Sequence, residues 1–396
     1  MQTAALYIHF PFCTNKCIYC DFYSITDQSW QKRFLSALAA EIELAKTTPP
    51  FEGFVFSTIF FGGGTPSLMS AEEISFILSL LKSRLLFADD IEVTCEVNPG
   101  TLTRNKSKAF RAAGINRLSI GVQSFQDDEL RALTRIHNAH TAHQSVQYAR
   151  QAGFDNISID LIFGIQGQTL ASWRQTLAAA VQLRPQHISM YGLTVEPDTP
   201  LHRLIGKGKM QKCDEELERE MYLLGKETLE AAGYEHYEIS NFALPGYRCR
   251  HNEKYWDASP YLSLGPSAHS FDGLHRWQNV RDVKAYCEKL ESGQPAIAAK
   301  ENLTRQQREL ELILLGLRRR EGLSLTTWQD IAGNDFLQIS KTVINDLGGY
   351  DERARPFAPS DKLLGLTRDT LFLTREGLLL YDSICNHFAS IVNNVT

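Results

Sequence analysis

The chain has 396 residues, a net charge of −5, 43% hydrophobic and 22% charged residues, a profile that suits a globular protein with one large domain and one or two smaller ones. The charge balance argues against nucleic acid as a partner, and no apolar run approaches the roughly 18 residues of a membrane span. The eight cysteines show no disulfide pattern and the N-terminus has no export-type leader, so a reducing cytoplasm is expected.

From the start to about residue 232, short β-rich runs alternate with helical patterns. The predicted strands are 6–10, 58–61, 91–96, 117–122, 156–162 and 187–191. The predicted helices are 30–46, 71–86, 105–113, 141–152, 170–183 and 215–232. Ser70 and Thr169 are expected to cap helices, and Gly114, Gly153 and Gly233 to end them. Six strand–helix units predict a parallel sheet with right-handed crossovers. Unusual residues follow every strand: cysteines after the first, Gly62-Gly63-Gly64-Thr65-Pro66 after the second, then Glu96, Gln123, Asp160 and Gly164, and Gly192. A doubly wound sheet concentrates its site at one switch point, whereas a βα barrel spreads it around one rim. The fold expected for residues 1–232 is therefore an incomplete (β/α)6 barrel. Residues 233–300 read as a small α+β extension, with strands at 234–242, 261–264 and 276–280. Residues 301–396 read as a C-terminal helical, winged-helix-like domain, with helices at 305–318 and 325–331. Residues 300–396 hold 12 Lys/Arg against 13 Asp/Glu, so that last region lacks a DNA-binding footprint and reads as a protein contact or lid.

The densest chemistry is Cys13, Cys17 and Cys20, spaced C-x3-C-x2-C. With His9 they make a Cys3His zinc set; alone they make a three-thiolate iron–sulfur site with one open iron. The glycine triplet reads as a backbone cradle for an anion or as a tight turn. Glu96 and Asp160 share the cysteine-bearing rim, to receive ribose hydroxyls or an ammonium, to work as acid and base, or as a buried pair satisfied by Arg135 or backbone. Gln123 is a further candidate, and Arg135 suits a carboxylate. His251-Asn252-Glu253-Lys254-Tyr255-Trp256 reads either as a haem contact or as aromatic packing at a domain seam.

Together the motifs resemble the radical S-adenosylmethionine (SAM) family. They run from Tyr7-Ile8-His9-Phe10-Pro11-Phe12-Cys13 through Phe61-Gly62-Gly63-Gly64-Thr65-Pro66, Glu96-Val97-Asn98-Pro99, Gly121-Val122-Gln123-Ser124-Phe125 and Ile159-Asp160-Leu161-Ile162 to Gly265-Pro266-Ser267-Ala268-His269. Within that family they are similar to the coproporphyrinogen-dehydrogenase-like branch, and within the branch to haem chaperones of the HemW type. The dehydrogenases carry a fourth cysteine where this chain has Phe22, and the chaperones share H-N-x-x-Y-W with residues 251–256. The resemblance implies a 4Fe–4S cluster on Cys13, Cys17 and Cys20, with SAM on the fourth iron. It implies SAM contacts at Tyr7, Tyr19, Gly63, Gly64, Thr65, Glu96, Gln123, Arg135 and Asp160, and a haem contact at His251. The cargo would be haem b, the partners acceptor haemoproteins, and a homodimer is compatible. No nucleic acid partner and no membrane span are implied, and no catalytic residue is assigned. The alternative activity is oxygen-independent coproporphyrinogen III dehydrogenation. One departure is Gly164-Ile165-Gln166-Gly167-Gln168-Thr169, where relatives have G-L-P-G-Q-T; the missing proline is expected to loosen that turn.

Overall fold

Period-two alternation builds the sheet. Along β1 (Thr3–Phe10), the side chains of Ala4, Leu6, Ile8 and Phe10 are fully buried in the main core, while Tyr7 and His9 point to the other face. The pattern repeats in β2 (Val55–Gly63), β3 (Leu86–Val97), β4 (Arg117–Gln123), β5 (Ile157–Phe163) and β6 (His187–Gly192). Ile59 and Phe61, Val93, Cys95 and Val97, Leu118 and Ile120, and Ile157 and Ile159 all face the surrounding helices. The intervening residues, among them Thr58, Glu92, Glu96, Arg117, Ser119 and Asp160, face inward. Successive side chains of a strand leave opposite faces, so one polar surface is collected inside the curve of the sheet.

The structure, a computed structural model, describes residues 2–45 and 51–394. The helices of the first region are α1 (Gln31–Ala45), α2 (Ala71–Arg84), α3 (Arg104–Ala113), α4 (Asp127–Ala132), α5 (Ala139–Gln151), α6 (Leu170–Leu183), α7 (Pro200–Gly206) and α8 (Glu215–Ala231). The six expected helices agree within two residues, and the predicted end of the first, Lys46, lies outside the described residues. Ser70 and Thr169 both close reciprocal capping boxes. Gly114, Gly153 and Gly233 all take positive φ just past their helices.

The extension adds β7 (Glu235–Glu238), β8 (Asn241–Ala243), α9 (Arg250–Trp256), β9 (Tyr261–Leu264), β10 (His269–Phe271), β11 (His275–Asn279), α10 (Val283–Glu291) and β12 (Ile297–Asn302). It builds no core of its own. Its strands extend the sheet at both edges, in the order β12-β11-β10-β9-β1-β2-β3-β4-β5-β6-β8-β7. β1 is flanked by β2 and β9, both parallel to it; β6 is flanked by β5 and β8. The six-stranded wall therefore stays open.

The last region holds α11 (Arg305–Arg318), β13 (Leu323–Ser324), α12 (Leu325–Ala332), α13 (Phe336–Ile339), α14 (Lys341–Asp346), β14 (Tyr350–Asp351), β15 (Leu364–Leu366), β16 (Thr370–Leu373), α15 (Arg375–Leu378) and α16 (Tyr381–Asn394). Helices followed by a small sheet give the expected winged-helix-like arrangement, around a second core that includes Leu317, Trp328, Phe336, Leu371 and Phe388. It docks on β7 through an ion pair between Arg318 and the buried Glu238 at 2.7 Å. Two backbone bonds reinforce it: Ile239 N–H to the Arg318 carbonyl and Arg320 N–H to the Tyr237 carbonyl. No helix among the described residues is long and apolar enough to cross a membrane.

Candidate functional site

The cysteine loop leaves β1 through Pro11 and Phe12 and is pinned from three sides. Cys13 N–H donates to the Ile25 carbonyl, and Ile25 N–H returns a bond to Pro11. On the β2 side, Gly64 N–H donates to the Phe10 carbonyl at 2.7 Å and Thr65 N–H to the Phe12 carbonyl at 2.8 Å. On the third side, Ile18 N–H donates to Thr134 Oγ1 at 3.1 Å, and Asn15 Nδ2 to the Thr134 carbonyl at 3.1 Å. Cys13 and Cys17 are buried and Cys20 is half-buried. Burial pushes the Cys20 thiol up to about 11, with the neighbouring Cys17 and Cys13 sulfurs adding to the shift. Two donors reach the sulfurs: Thr65 Oγ1 toward Cys13 Sγ at 3.4 Å, and Arg135 Nη1 toward Cys17 Sγ at 3.5 Å.

His9 does not complete a zinc set. Its Nε2–H donates to the Tyr23 carbonyl at 2.8 Å and its Nδ1 accepts from the Tyr7 hydroxyl at 3.2 Å. Both nitrogens are occupied, so the expected fourth ligand is missing. No three His, Cys, Asp or Glu side chains among the described residues converge on a point suited to a single metal ion. A 4Fe–4S cluster makes a different demand, since its thiolates bind different irons.

The glycine triplet proves to be a packing requirement. A Cβ on Gly64 would lie 2.6 Å from the Phe12 carbonyl oxygen and 2.9 Å from the Phe12 nitrogen. On Gly63, at φ 107°, it would meet the His9 ring, and on Gly62 the Tyr7 ring. Nor is the Gly63 N–H available as an anion donor, because it bonds Glu96 Oε2 at 3.1 Å.

Inside the sheet, burial and then the nearby charge of Asp160 raise the Glu96 carboxyl to about 8. Asp160 is itself raised by burial and accepts from the Ser119 hydroxyl at 3.2 Å. Of the partners expected for this pair, the backbone is met in the Gly63 N–H on Glu96, whereas Arg135 bonds elsewhere. Its Nη2 donates to the Gly121 carbonyl at 2.9 Å, and its Nε finds no partner among the described residues. Gln123 takes φ 67° at the end of β4, with its amide 2.8 Å from where a Gly121 Cβ would stand. Tyr19 packs against Leu133, Ile162 and Ile165 beside Arg135. The structure thus brings Tyr7, Tyr19, Glu96, Gln123, Arg135 and Asp160 to the cysteine-bearing side of the sheet.

His251 lies below this group, its ring centroid 6.3 Å from that of Tyr7. Its ring is fully buried on α9, with Nδ1 bonded to Thr58 Oγ1 at 2.8 Å and Nε2 to the Tyr255 hydroxyl at 3.0 Å. Its N–H bonds the carboxylate of Glu92. Thr58 precedes Gly62 by four residues, about 13 Å along the strand, so His251 plugs the floor opposite the cysteines. Burial, then the charge of Arg117, lowers the ring to about 3. Of the two readings of this histidine, these contacts match the packing one: here it is a neutral floor residue stacked on Phe60.

Residues 7–180 match the Radical SAM superfamily. The heme chaperone HemW of Bacillus subtilis (strain 168) is 36% identical over 96% of this chain and 98% of its own length. The chain belongs to the HemW family. Other HemW-type relatives agree: the Escherichia coli (strain K12) heme chaperone HemW is 37% identical over 67% of this chain and 69% of its own. A Bos taurus mitochondrial protein, radical S-adenosyl methionine domain-containing protein 1, is 32% identical over 97% of this chain and 86% of its own. Among solved structures, the E. coli coproporphyrinogen III oxidase HemN superposes with a TM-score of 0.82 over 98% of this chain and 90% of its own, at 24% identity. That likeness shows a shared fold.

A radical SAM chain works with a 4Fe–4S cluster and SAM, and the donor set of this HemW-family chain fits both. Three thiols share one pinned loop, two protein donors reach sulfur, and Arg135 Nε is a buried donor left over. The turn at 164–169 holds without its proline. Gln168 Oε1 accepts from Ile165 N–H, and its Nε2 donates to the buried carboxylate of Glu129 at 3.0 Å. Sequence reasoning missed Thr134, whose left-handed φ of 56° nothing in its residue type announces.

Proposed function

We propose that this chain is a haem chaperone that binds haem b and passes it to acceptor haemoproteins. The full-length similarity to the HemW chaperones carries this reading. Phe22 supports it: the ring is 67% exposed at the position where the resembling dehydrogenases have a fourth cysteine. We assign the cluster to Cys13, Cys17 and Cys20. We assign SAM to Tyr7, Tyr19, Gly63, Gly64, Thr65, Glu96, Gln123, Arg135 and Asp160. When bound, the pair supplies one-electron chemistry. The chain's own part is to hold the thiolates with Thr65 and Arg135 and to offer Glu96 and Asp160 as acceptors for hydroxyl or ammonium groups.

His251 contacts haem, on this reading, only after α9 leaves the floor and frees the ring from Thr58 and Tyr255. The eight free cysteines favour a reducing cytoplasm as the working compartment. A homodimer is the proposed assembly, read by light scattering. Residues 1–232, 233–300 and 301–396 are the proposed division of labour between cofactors, floor and acceptor contact.

Haem titration of the reconstituted full chain tests the function, beside His251→Ala. Saturable one-to-one binding by the wild type, weakened in the variant, is expected. Equal binding by both removes His251 from the haem site, and no saturable binding by either overturns the chaperone reading. An anaerobic assay with coproporphyrinogen III, SAM and a reductant addresses the alternative; protoporphyrinogen formation would favour it.

A further inference from the structure

We propose that Thr134 and Arg135 form a clamp on the cysteine loop, in which Thr134 positions the loop and Arg135 tunes the cluster through the Cys17 thiolate. The proposal rests on the assignment of the cluster to the three cysteines above.

The argument begins at the end of α4. That helix closes with Arg135 N–H bonding the Leu130 carbonyl and Thr134 N–H bonding the Arg131 carbonyl. This double closure puts Thr134 in the left-handed position where glycine is usual. At φ 56° a β-branched residue is strained, so helix termination alone favours glycine. What threonine adds is Oγ1, which accepts the Ile18 N–H at 3.1 Å inside the cysteine motif. The Thr134 carbonyl accepts from Asn15 Nδ2 in the same motif. The next residue, Arg135, spans from the Gly121 carbonyl at 2.9 Å to Cys17 Sγ at 3.5 Å. One dipeptide thus fixes the backbone of the loop and gives one of its sulfurs a cationic donor. Hydrogen bonds to sulfur and local charge set the potential of an iron–sulfur cluster, and outer residues orient its ligands. A guanidinium at the thiolate stabilises the more negative, reduced cluster, so its removal lowers the midpoint potential.

The test uses the anaerobically reconstituted full chain: wild type, Arg135→Gln, Thr134→Gly and Thr134→Ser. Iron per chain, midpoint potential by EPR-monitored titration, and hydrogen exchange of residues 14–20 are measured. Arg135→Gln should shift the potential to more negative values with iron content retained. Thr134→Gly should melt no lower than wild type, yet shift the potential the same way by less and exchange faster at Ile18. Thr134→Ser, which keeps the hydroxyl, should restore both readouts. If Thr134→Gly has wild-type potential and exchange, Thr134 is only a helix stop and its positioning role falls. If Arg135→Gln leaves the potential unchanged, the tuning role falls. Where a variant takes up no cluster, exchange in the cluster-free chain decides the Thr134 role. Zinc in place of iron in the wild type would sink the cluster assignment and, with it, the tuning role, while the exchange result would stand.

Discussion

Gly64→Ala is the sharpest probe of how the sheet presents the cysteines. The new methyl group would sit 2.6 Å from the Phe12 oxygen, 2.9 Å from the Phe12 nitrogen and 3.0 Å from the Phe10 oxygen. All three are backbone atoms, so no side chain can turn away to make room. The ends of β1 and β2 must part by about 0.8 Å before the nearest contact is an ordinary one. Parting them strains the Gly64–Phe10 and Thr65–Phe12 bonds, worth about 1 kcal/mol each, and overpacking adds about 1–3 kcal/mol. The expected loss of about 3–5 kcal/mol is a large share of a typical stability of about 5–15 kcal/mol. Thr65 Oγ1 also moves away from Cys13 Sγ. Urea unfolding and iron per chain after reconstitution read both effects. Gly62→Ala is the comparison, because its contacts are side-chain atoms, the Tyr7 ring at 2.8 Å and the Phe60 ring at 3.1 Å, rather than backbone. A Gly64→Ala protein matching Gly62→Ala in midpoint and iron content would refute the reasoning.

Glu41 supplies a pH dependence. Burial raises its carboxyl to about 7, against bonds from Tyr286, Gly265 N–H and Asn279. Its folded pKa exceeds the unfolded one, so its contribution is full below the usual carboxylate range and is lost as pH rises through about 7. The stability of wild type relative to Glu41→Gln should therefore fall between pH 5 and pH 8 in thermal melts; a rise would contradict the assignment. His251→Phe should cost about 1–3 kcal/mol, because the Thr58 and Tyr255 hydroxyls lose a buried partner; wild-type stability in urea would argue against the floor role. Arg318→Met strands the Glu238 carboxylate and should cost about 3–5 kcal/mol, most of it recovered by adding Glu238→Gln. A near-neutral single variant in urea unfolding would show that the ion pair does not hold the C-terminal region.

The alternating helices and strands were legible because each carries its own period, and the caps at Ser70 and Thr169 because their chemistry is local. The cysteines were legible by spacing. What sequence could not show is set by distant contacts. β9 is four residues long, and nothing in Tyr261, Leu262, Ser263 and Leu264 says that they lie beside β1. The early starts of β2 and β3 were missed where the register shifts between Phe56 and Thr58. The glycine triplet was read toward a ligand because a sequence does not reveal that Phe12 crowds Gly64. For His251 a haem contact and seam packing stayed side by side, because its partners Thr58 and Glu92 lie more than 150 residues away.

The placement of β1 has a consequence for synthesis. Ala5, Leu6, Tyr7 and Ile8 pair with residues 261–264, and Ala5 N–H bonds the Pro260 carbonyl. During synthesis β1 therefore waits for more than 250 further residues before its second edge is covered. A nascent chain stopped after α8 would carry all three cysteines on a loop following a strand with one bare edge and no floor beneath it. The pins of the thiol loop, at Ile25, Gly64, Thr65 and Thr134, all precede the extension, so the loop can take shape first, while the second edge of β1 and the floor come only with the extension.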